Sequence, residues 1–262
     1  MNTQNSKKLI VFDMDGTLAE SKTSITKGMS YLLCELLKEK LVAIISGSFF
    51  PQFEKQLLYQ LPHSSAVLKN LFLLPTSGSR FYLYKDNEWS LVYAHNLTPE
   101  EKSKILNAFE RVFRKISYKH PSTVYGEVIE DRGTQIAFSP LGQDVVDVLG
   151  AEQGIAMKQA WNKKYNTTRE IIAEYLRPIL HEFEVRLGGL TTIDVTRKGI
   201  DKGYGILQIE KFLNIPKIEM LFIGDALYEG GNDYPVMREG VETISVKGPE
   251  DTKKIIQSIL NA

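Results

Sequence analysis

Leu9-Ile10-Val11-Phe12-Asp13-Met14-Asp15-Gly16-Thr17 decides the reading of this chain. The apolar run, with β-branched Ile10 and Val11, predicts a short buried strand. Asp13 then stands at the strand's carboxyl end, the edge on which open α/β sheets bind their ligands. Asp15 follows on a glycine turn. A carboxylate pair so spaced can divide nucleophilic attack from proton transfer or metal binding. A strand followed by an ordinary Asp-Gly turn is written with the same letters, so the rest of the chain decides.

Outward from this stretch the pattern alternates. Residues 26–40 place Met29, Leu32, Leu33, Leu36 and Leu37 on one helix face with Thr26 as cap. Leu41-Val42-Ala43-Ile44-Ile45 reads as a second buried strand ending in Ser46-Gly47-Ser48. Pro51 opens a helix carrying Phe53, Leu57 and Leu61. Strand, helix, strand, helix implies a parallel sheet covered by helices. The style returns late in the chain: a helix from Lys202 with Ile206, Ile209 and Leu213, a strand Met220-Leu221-Phe222-Ile223 ending at Gly224-Asp225, a strand over residues 241–246, and a helix opened by Gly248-Pro249.

The middle differs. Phe81-Tyr82-Leu83-Tyr84 and residues 89–94 flank a polar turn. Thr98-Pro99-Glu100-Glu101 carries a capping box for a helix to about Ile116. Residues 134–138 read as a short strand. Thr167 and Glu170 repeat the capping-box spacing, and residues 182–187 and 191–195 flank Gly188-Gly189 as a hairpin. Strands meeting strands imply an α+β insert. The expected organisation is an α/β core over residues 1–84 and 190–262 with an inserted unit over 85–189, long enough for its own core.

Composition narrows the function. Of 262 residues, 32 are Lys or Arg and 32 Asp or Glu, so the formal charge is zero and no nucleic-acid partner is expected on electrostatic grounds. Cys34 is the single cysteine, which excludes an internal disulfide, and its leucine-rich surroundings suit a small hydrophobe. No apolar run reaches membrane-spanning length, and residues 1–8 lack the apolar stretch of a secretion signal. The expectation is no membrane partner and a reducing, cytoplasmic setting. His63, His95, His120 and His181 are scattered without metal-ligand spacing.

Several strand or helix ends carry matching chemistry: Asp13 and Asp15, Ser46, Lys202, Asp225, and Asn232-Asp233. A parallel sheet gathers such ends along one edge. Carboxylates, a hydroxyl and an ammonium around one point suit Mg2+, which prefers oxygen ligands, and a phosphoryl group. In their order these motifs resemble those of the haloacid-dehalogenase-like superfamily, in its large-cap subfamily IIB. Phe222-Ile223-Gly224-Asp225 through Gly230-Gly231-Asn232-Asp233, Ser46-Gly47-Ser48-Phe49, Gly188-Gly189 with Ile193-Asp194-Val195, and Asp201-Lys202 are most similar to the eukaryotic-type phosphomannomutases.

The resemblance implies a Rossmann-like core with an inserted α+β cap, and it implies roles. Asp13 is the nucleophile that forms an aspartyl-phosphate, and Asp15 the general acid and base. Ser46 bonds a phosphoryl oxygen, and Lys202 neutralises charge. Mg2+ is held by Asp13, the Asp15 main-chain carbonyl and Asp225, with Asp233 as ligand or as partner of a ligand. Ser48 also borders Gly47 and can face the phosphate instead; motif register favours Ser46. Gly47, Ser48, Arg132 and Asn232 complete the expected substrate contacts. The resemblance further implies a homodimer through the cap, although no unambiguous apolar patch marks one.

One departure bears on the reaction. Mutases hold a second phosphate with cap arginines. Glu130-Asp131-Arg132-Gly133-Thr134 resembles the first such segment, but Gln143 stands where the family has another arginine, and a neutral amide cannot replace a guanidinium fork. The residues therefore rank a phosphatase of a small phosphorylated metabolite, a sugar phosphate, above a phosphomannomutase. A non-catalytic phospho-ligand or partner-binding protein ranks last, because the Asp13/Asp15 pair is intact.

Overall fold

The computed structural model describes residues 6–62 and 64–261. Residues 1–5 of the polar start, His63 and Ala262 lie outside the described residues. In chain order the strands are β1 (Leu9–Phe12), β2 (Leu41–Ile45), β3 (Leu71–Leu74), β4 (Arg80–Lys85), β5 (Glu88–Ala94), β6 (Ile129–Asp131), β7 (Ile136–Phe138), β8 (Phe183–Gly188), β9 (Thr192–Arg197), β10 (Met220–Gly224) and β11 (Glu242–Ser245). They form two sheets, ordered β11-β10-β1-β2-β3-β4-β5 and β6-β7-β9-β8. The chain divides likewise into two compact units, one running to Ala94 and resuming at Ile200, the other spanning His95–Gly199.

The first unit is the α/β Rossmann-like core. β11, β10, β1, β2 and β3 run parallel, and β4 and β5 extend the sheet antiparallel. Ile10 and Phe12 of β1 pack in one cluster with Met29, Leu33 and Leu36 of the helix Lys27–Glu39 and Ile256 and Ile259 of the helix Pro249–Leu260. Leu9 and Val11 join the opposite cluster with Ile206 and Ile209 of the helix Lys202–Leu213 and with Val236. Helices on both faces explain why β1, β2 and β10 are continuous apolar runs rather than alternating ones. Each β1 side chain, fully buried, contributes about 2 kcal/mol of transfer free energy. Cys34 packs half-buried against the first cluster, where burial pushes its thiol pKa up. That is the opposite of an activated nucleophile.

The second unit is α+β. The helices Pro99–Lys115 and Ala151–Ile179 bring Ile105, Phe109, Val112, Ile172 and Leu176 against Ile136, Phe138, Val185, Ile193 and Val195 of an antiparallel sheet. Among the described residues no helix is long and apolar enough to cross a membrane.

Three features depart from the sequence reading. The unit boundaries fall about ten residues later than 85 and 189, after Ala94 and Gly199. Asp86 and Asn87, with φ of 54° and 66°, close a two-residue hairpin that keeps β5 on β4 in the large sheet. In the same way β9 pairs with both β7 and β8, so it stays in the small sheet. The helix opened near Pro51 ends at Gln56, and Leu58–Gln60 tightens into a 3-10 turn. There the carbonyls of Lys55 and Gln56 accept from Ser24 Oγ and the Ile25 N–H, instead of from a further helical turn. The capping-box spacing at Thr167 starts nothing: Ala151–Ile179 is one helix through that point, and Asn166 Nδ2 donates to Glu170 Oε1 one turn away.

The two capping-box sequences therefore behave oppositely on substitution. At Thr98, where the reciprocal bonds with Glu101 are present, replacement by alanine lowers stability by about 1 kcal/mol. At exposed Thr167, inside a helix, Thr167→Ala raises stability by a few tenths, about 0.5 kcal/mol at most. Urea unfolding of the two variants checks both signs; a loss at Thr167 matching that at Thr98 would contradict the continuous helix.

Candidate active site

Parallel order puts the carboxyl ends of β10, β1 and β2 side by side, and the residues that follow them meet there. Asp13 follows β1 directly, and its N–H donates to Ile223 O of β10 at 3.0 Å. Gly16 turns the chain with φ of +85°, and a Cβ at that position would lie 2.4 Å from Asp225 Oδ2. The first-motif loop thus lies against the carboxylate that follows β10, an approach that only glycine permits. Gly224 makes a second such approach: a Cβ there would stand 2.4 Å from Asp233 Oδ2.

Lys202 binds this arrangement together. It opens the helix capped by Asp201, which accepts from the Tyr204 N–H. Its ammonium donates to Asp13 Oδ1 at 2.5 Å and to Asp233 Oδ1 at 2.6 Å. The remaining Asp233 oxygen accepts from the Ala226 N–H at 3.0 Å. Asp13, Asp225 and Asp233 each offer an oxygen within 4.8 Å of the others.

Electrostatics follow from that crowding. Burial holds the Asp13 pKa well above the usual carboxylate range, Lys202 opposes, and Asp233 and Asp225 add to the rise. Asp225 is raised too, by burial first and then by the Asp233 carboxylate, with Lys202 opposing. Burial alone would lower Lys202, but the Asp13 and Asp233 carboxylates outweigh it and hold the ammonium above its ordinary value. Three carboxylates against one ammonium leave an excess of negative charge in a cluster made of oxygen donors. That donor set fits a hard divalent cation, whose binding keeps such carboxylates ionised.

Asp15 is held apart from this cluster. Its Oδ1 accepts from the Lys22 N–H at 2.6 Å and from Gln56 Nε2 at 3.0 Å, while Oδ2 faces Ser48 Oγ at 3.4 Å. The two serines that motif register had to choose between do different things. Ser46 Oγ accepts from the Ser48 N–H at 3.1 Å, whereas Ser48 Oγ reaches Asp15. Their main-chain carbonyls are fastened by the N–H groups of Ser77 and Thr76, both in left-handed backbone at φ of 58° and 50°. Non-glycine residues there store strain, a feature common beside functional sites. Gly47 lies between the serines, and Asn232 sits half-buried beside Asp233.

Arg132 belongs to the other unit. It is buried, donating to Glu130 at 2.6 Å and to Gln135 and Gln143 at 3.1 Å each. Gln143, which the sequence marks only as a position without arginine, and Gln135 are thus its direct partners. Gln56 is marked only faintly in the sequence. Its signal was the polar pair Gln52 and Gln56, four apart on a helix that buries both.

A family profile for haloacid dehalogenase-like hydrolases matches residues 10–243. The chain belongs to this family. This haloacid-dehalogenase-like hydrolase is 28% identical over 251 residues to the phosphomannomutase of Spinacia oleracea, spanning 94% of this chain and 93% of that one. It is 26% identical over 269 residues to the phosphomannomutase of Saccharomyces cerevisiae, spanning 98% and 96%. In fold it is similar to the IMP-nucleotidase of Plasmodium falciparum, with a TM-score of 0.72 at 20% identity, covering 99% of this chain and 72% of that one.

The buried ammonium gives a stability test of the site geometry. Lys202→Met leaves Asp13 and Asp233 buried without their counter-charge, a loss of about 3–5 kcal/mol. A solvated lysine at a helix start would cost less than about 0.5 kcal/mol, so denaturant unfolding at neutral pH separates the two.

Proposed function

We propose that this haloacid-dehalogenase-like hydrolase transfers a phosphoryl group from a small phosphorylated sugar through Asp13, and that its reaction is the interconversion of mannose 6-phosphate and mannose 1-phosphate. The observation that carries the chemistry is the division of labour between two carboxylates. Asp13 lies in the Lys202–Asp233 charge cluster, and Asp15 is oriented separately, by the Lys22 N–H on one oxygen and Ser48 Oγ on the other.

In this reading Asp13, Asp225 and the Asp15 main-chain carbonyl would hold Mg2+, and the cation would supply positive charge against the phosphoryl oxygens. Asp233, with one oxygen on Lys202 and the other on the Ala226 N–H, keeps those groups in place. An Asp13 oxygen forms the bond to phosphorus as the phosphorus–ester oxygen bond breaks. Asp15 delivers its proton to the departing oxygen and releases the sugar hydroxyl. Ser46 and Ser48 hold phosphoryl oxygens, and Lys202 lowers the charge around Asp13. In the second half the acceptor hydroxyl gives its proton to Asp15 and takes the phosphoryl group from Asp13.

The acceptor separates two readings. A second sugar hydroxyl makes a mutase, and water makes a phosphatase. Alignment over nearly the full length with phosphomannomutases favours the mutase and reverses the order that the residues alone suggested. Arg132 favours the phosphatase: neutral Gln143 accepts one edge of its guanidinium and Glu130 neutralises another, which leaves less positive charge for a second phosphate.

Mannose 1-phosphate with magnesium and a catalytic amount of hexose bisphosphate tests both readings. Isomer exchange faster than phosphate release is the mutase result; phosphate release without exchange overturns it in favour of the phosphatase. Asp13→Asn, which keeps volume and loses the nucleophile, lowers turnover by about a thousandfold or more. Chelation of the metal abolishes turnover and added magnesium restores it. Activity of Asp13→Asn near that of the parent protein would reject the nucleophile assignment.

A further inference from the structure

Gln56 is 1% exposed, yet it is a polar residue with no place in the charge cluster. Its Nε2 donates twice, to Asp15 Oδ1 at 3.0 Å and to Thr23 O at 3.0 Å. A main-chain carbonyl only accepts, so Thr23 fixes which end of the amide faces Asp15: it must be the NH2. The Gln56 main-chain carbonyl takes the Ile25 N–H at 2.8 Å, which ties the helix end to the same loop. Gln56 Oε1 is buried and has no hydrogen-bond partner among the described residues. Leaving a buried acceptor unmade costs about 1–3 kcal/mol, so this amide is not explained by its contribution to stability.

The consequence for Asp15 is geometric. Two donors, the Lys22 N–H and Gln56 Nε2, occupy Oδ1. Among the described residues the hydrogen-bond contact of Oδ2 is Ser48 Oγ at 3.4 Å. We infer that Gln56 is a positioning residue that pins Oδ1 of Asp15, so that Oδ2 alone carries the proton to the leaving oxygen. This inference rests on the phosphoryl-transfer reading above and adds to it the atom that moves the proton and the residue that selects it.

A residue that serves proton delivery matters only when the leaving oxygen needs a proton. Phenyl phosphate releases a basic oxygen, whereas 2,4-dinitrophenyl phosphate releases a stable anion. Gln56→Met keeps the volume and removes both donors; Gln56→Leu removes them with a branched apolar side chain. With the intact chain and magnesium, either variant lowers kcat/KM on phenyl phosphate about tenfold while changing it less than about twofold on 2,4-dinitrophenyl phosphate. The loss falls in kcat rather than KM. Equal losses on the two esters, or none on either, overturn the inference and leave the phosphoryl-transfer reading standing. If the parent protein cleaves neither ester and fails in the mannose phosphate assay, the functional reading fails and this one with it. Thermal melting confirms that the compared variants are folded, and either variant alone decides the outcome.

Discussion

A fully buried ammonium holds the centre of this molecule. Removing such a group from water costs several kcal/mol, and Lys202 recovers it only because two carboxylates, 189 and 31 residues away in the chain, are brought to it. That requirement draws the end of β1, the start of the helix Lys202–Leu213 and the stretch after β10 to one point. Gly16 and Gly224 yield the space for it, each at a place where a Cβ would overlap a carboxylate. The parallel sheet sets the edge; the charges set the spacing along it.

The same crowding makes the site reactive. Asp13, Asp225 and Asp233 each offer an oxygen within 4.8 Å of the others, and burial raises the pKa of Asp13 and of Asp225. A cluster of this kind is consistent with a bound metal cation. Asp15 is fastened separately, by an amide and a main-chain N–H. In the unit His95–Gly199 the Arg132 guanidinium is shared among Glu130, Gln135 and Gln143.

Much of this was legible in the letters, and the reason differs from residue to residue. Asp13, Asp225 and Lys202 were readable because each sits at the end of a strand or the start of a helix that its own apolar pattern marks. Arg132 was readable as a polar segment, but its engagement by Gln143 was not, since hydrogen bonds between side chains eleven apart leave no periodicity. Ser46 and Ser48 were adjacent alternatives in sequence; one bonds within its own turn and the other reaches a carboxylate 33 residues away. The misplaced cap at Thr167 shows the limit of local chemistry, since a capping box forms only where the chain actually breaks its helix.

The sequence by itself determined the layers: continuous apolar runs for strands covered on both faces, helix faces at their spacing, and acidic or basic residues where those elements end. These are local properties, written in the order of neighbouring side chains. Tertiary structure alone decided that β5 stays in the large sheet, that β9 stays in the small one, that Ala151–Ile179 is one helix, and that Gln56 orients Asp15. Each of these depends on hydrogen bonds or packing between segments distant in the chain, and only the folded geometry selects among the partners a local pattern leaves available.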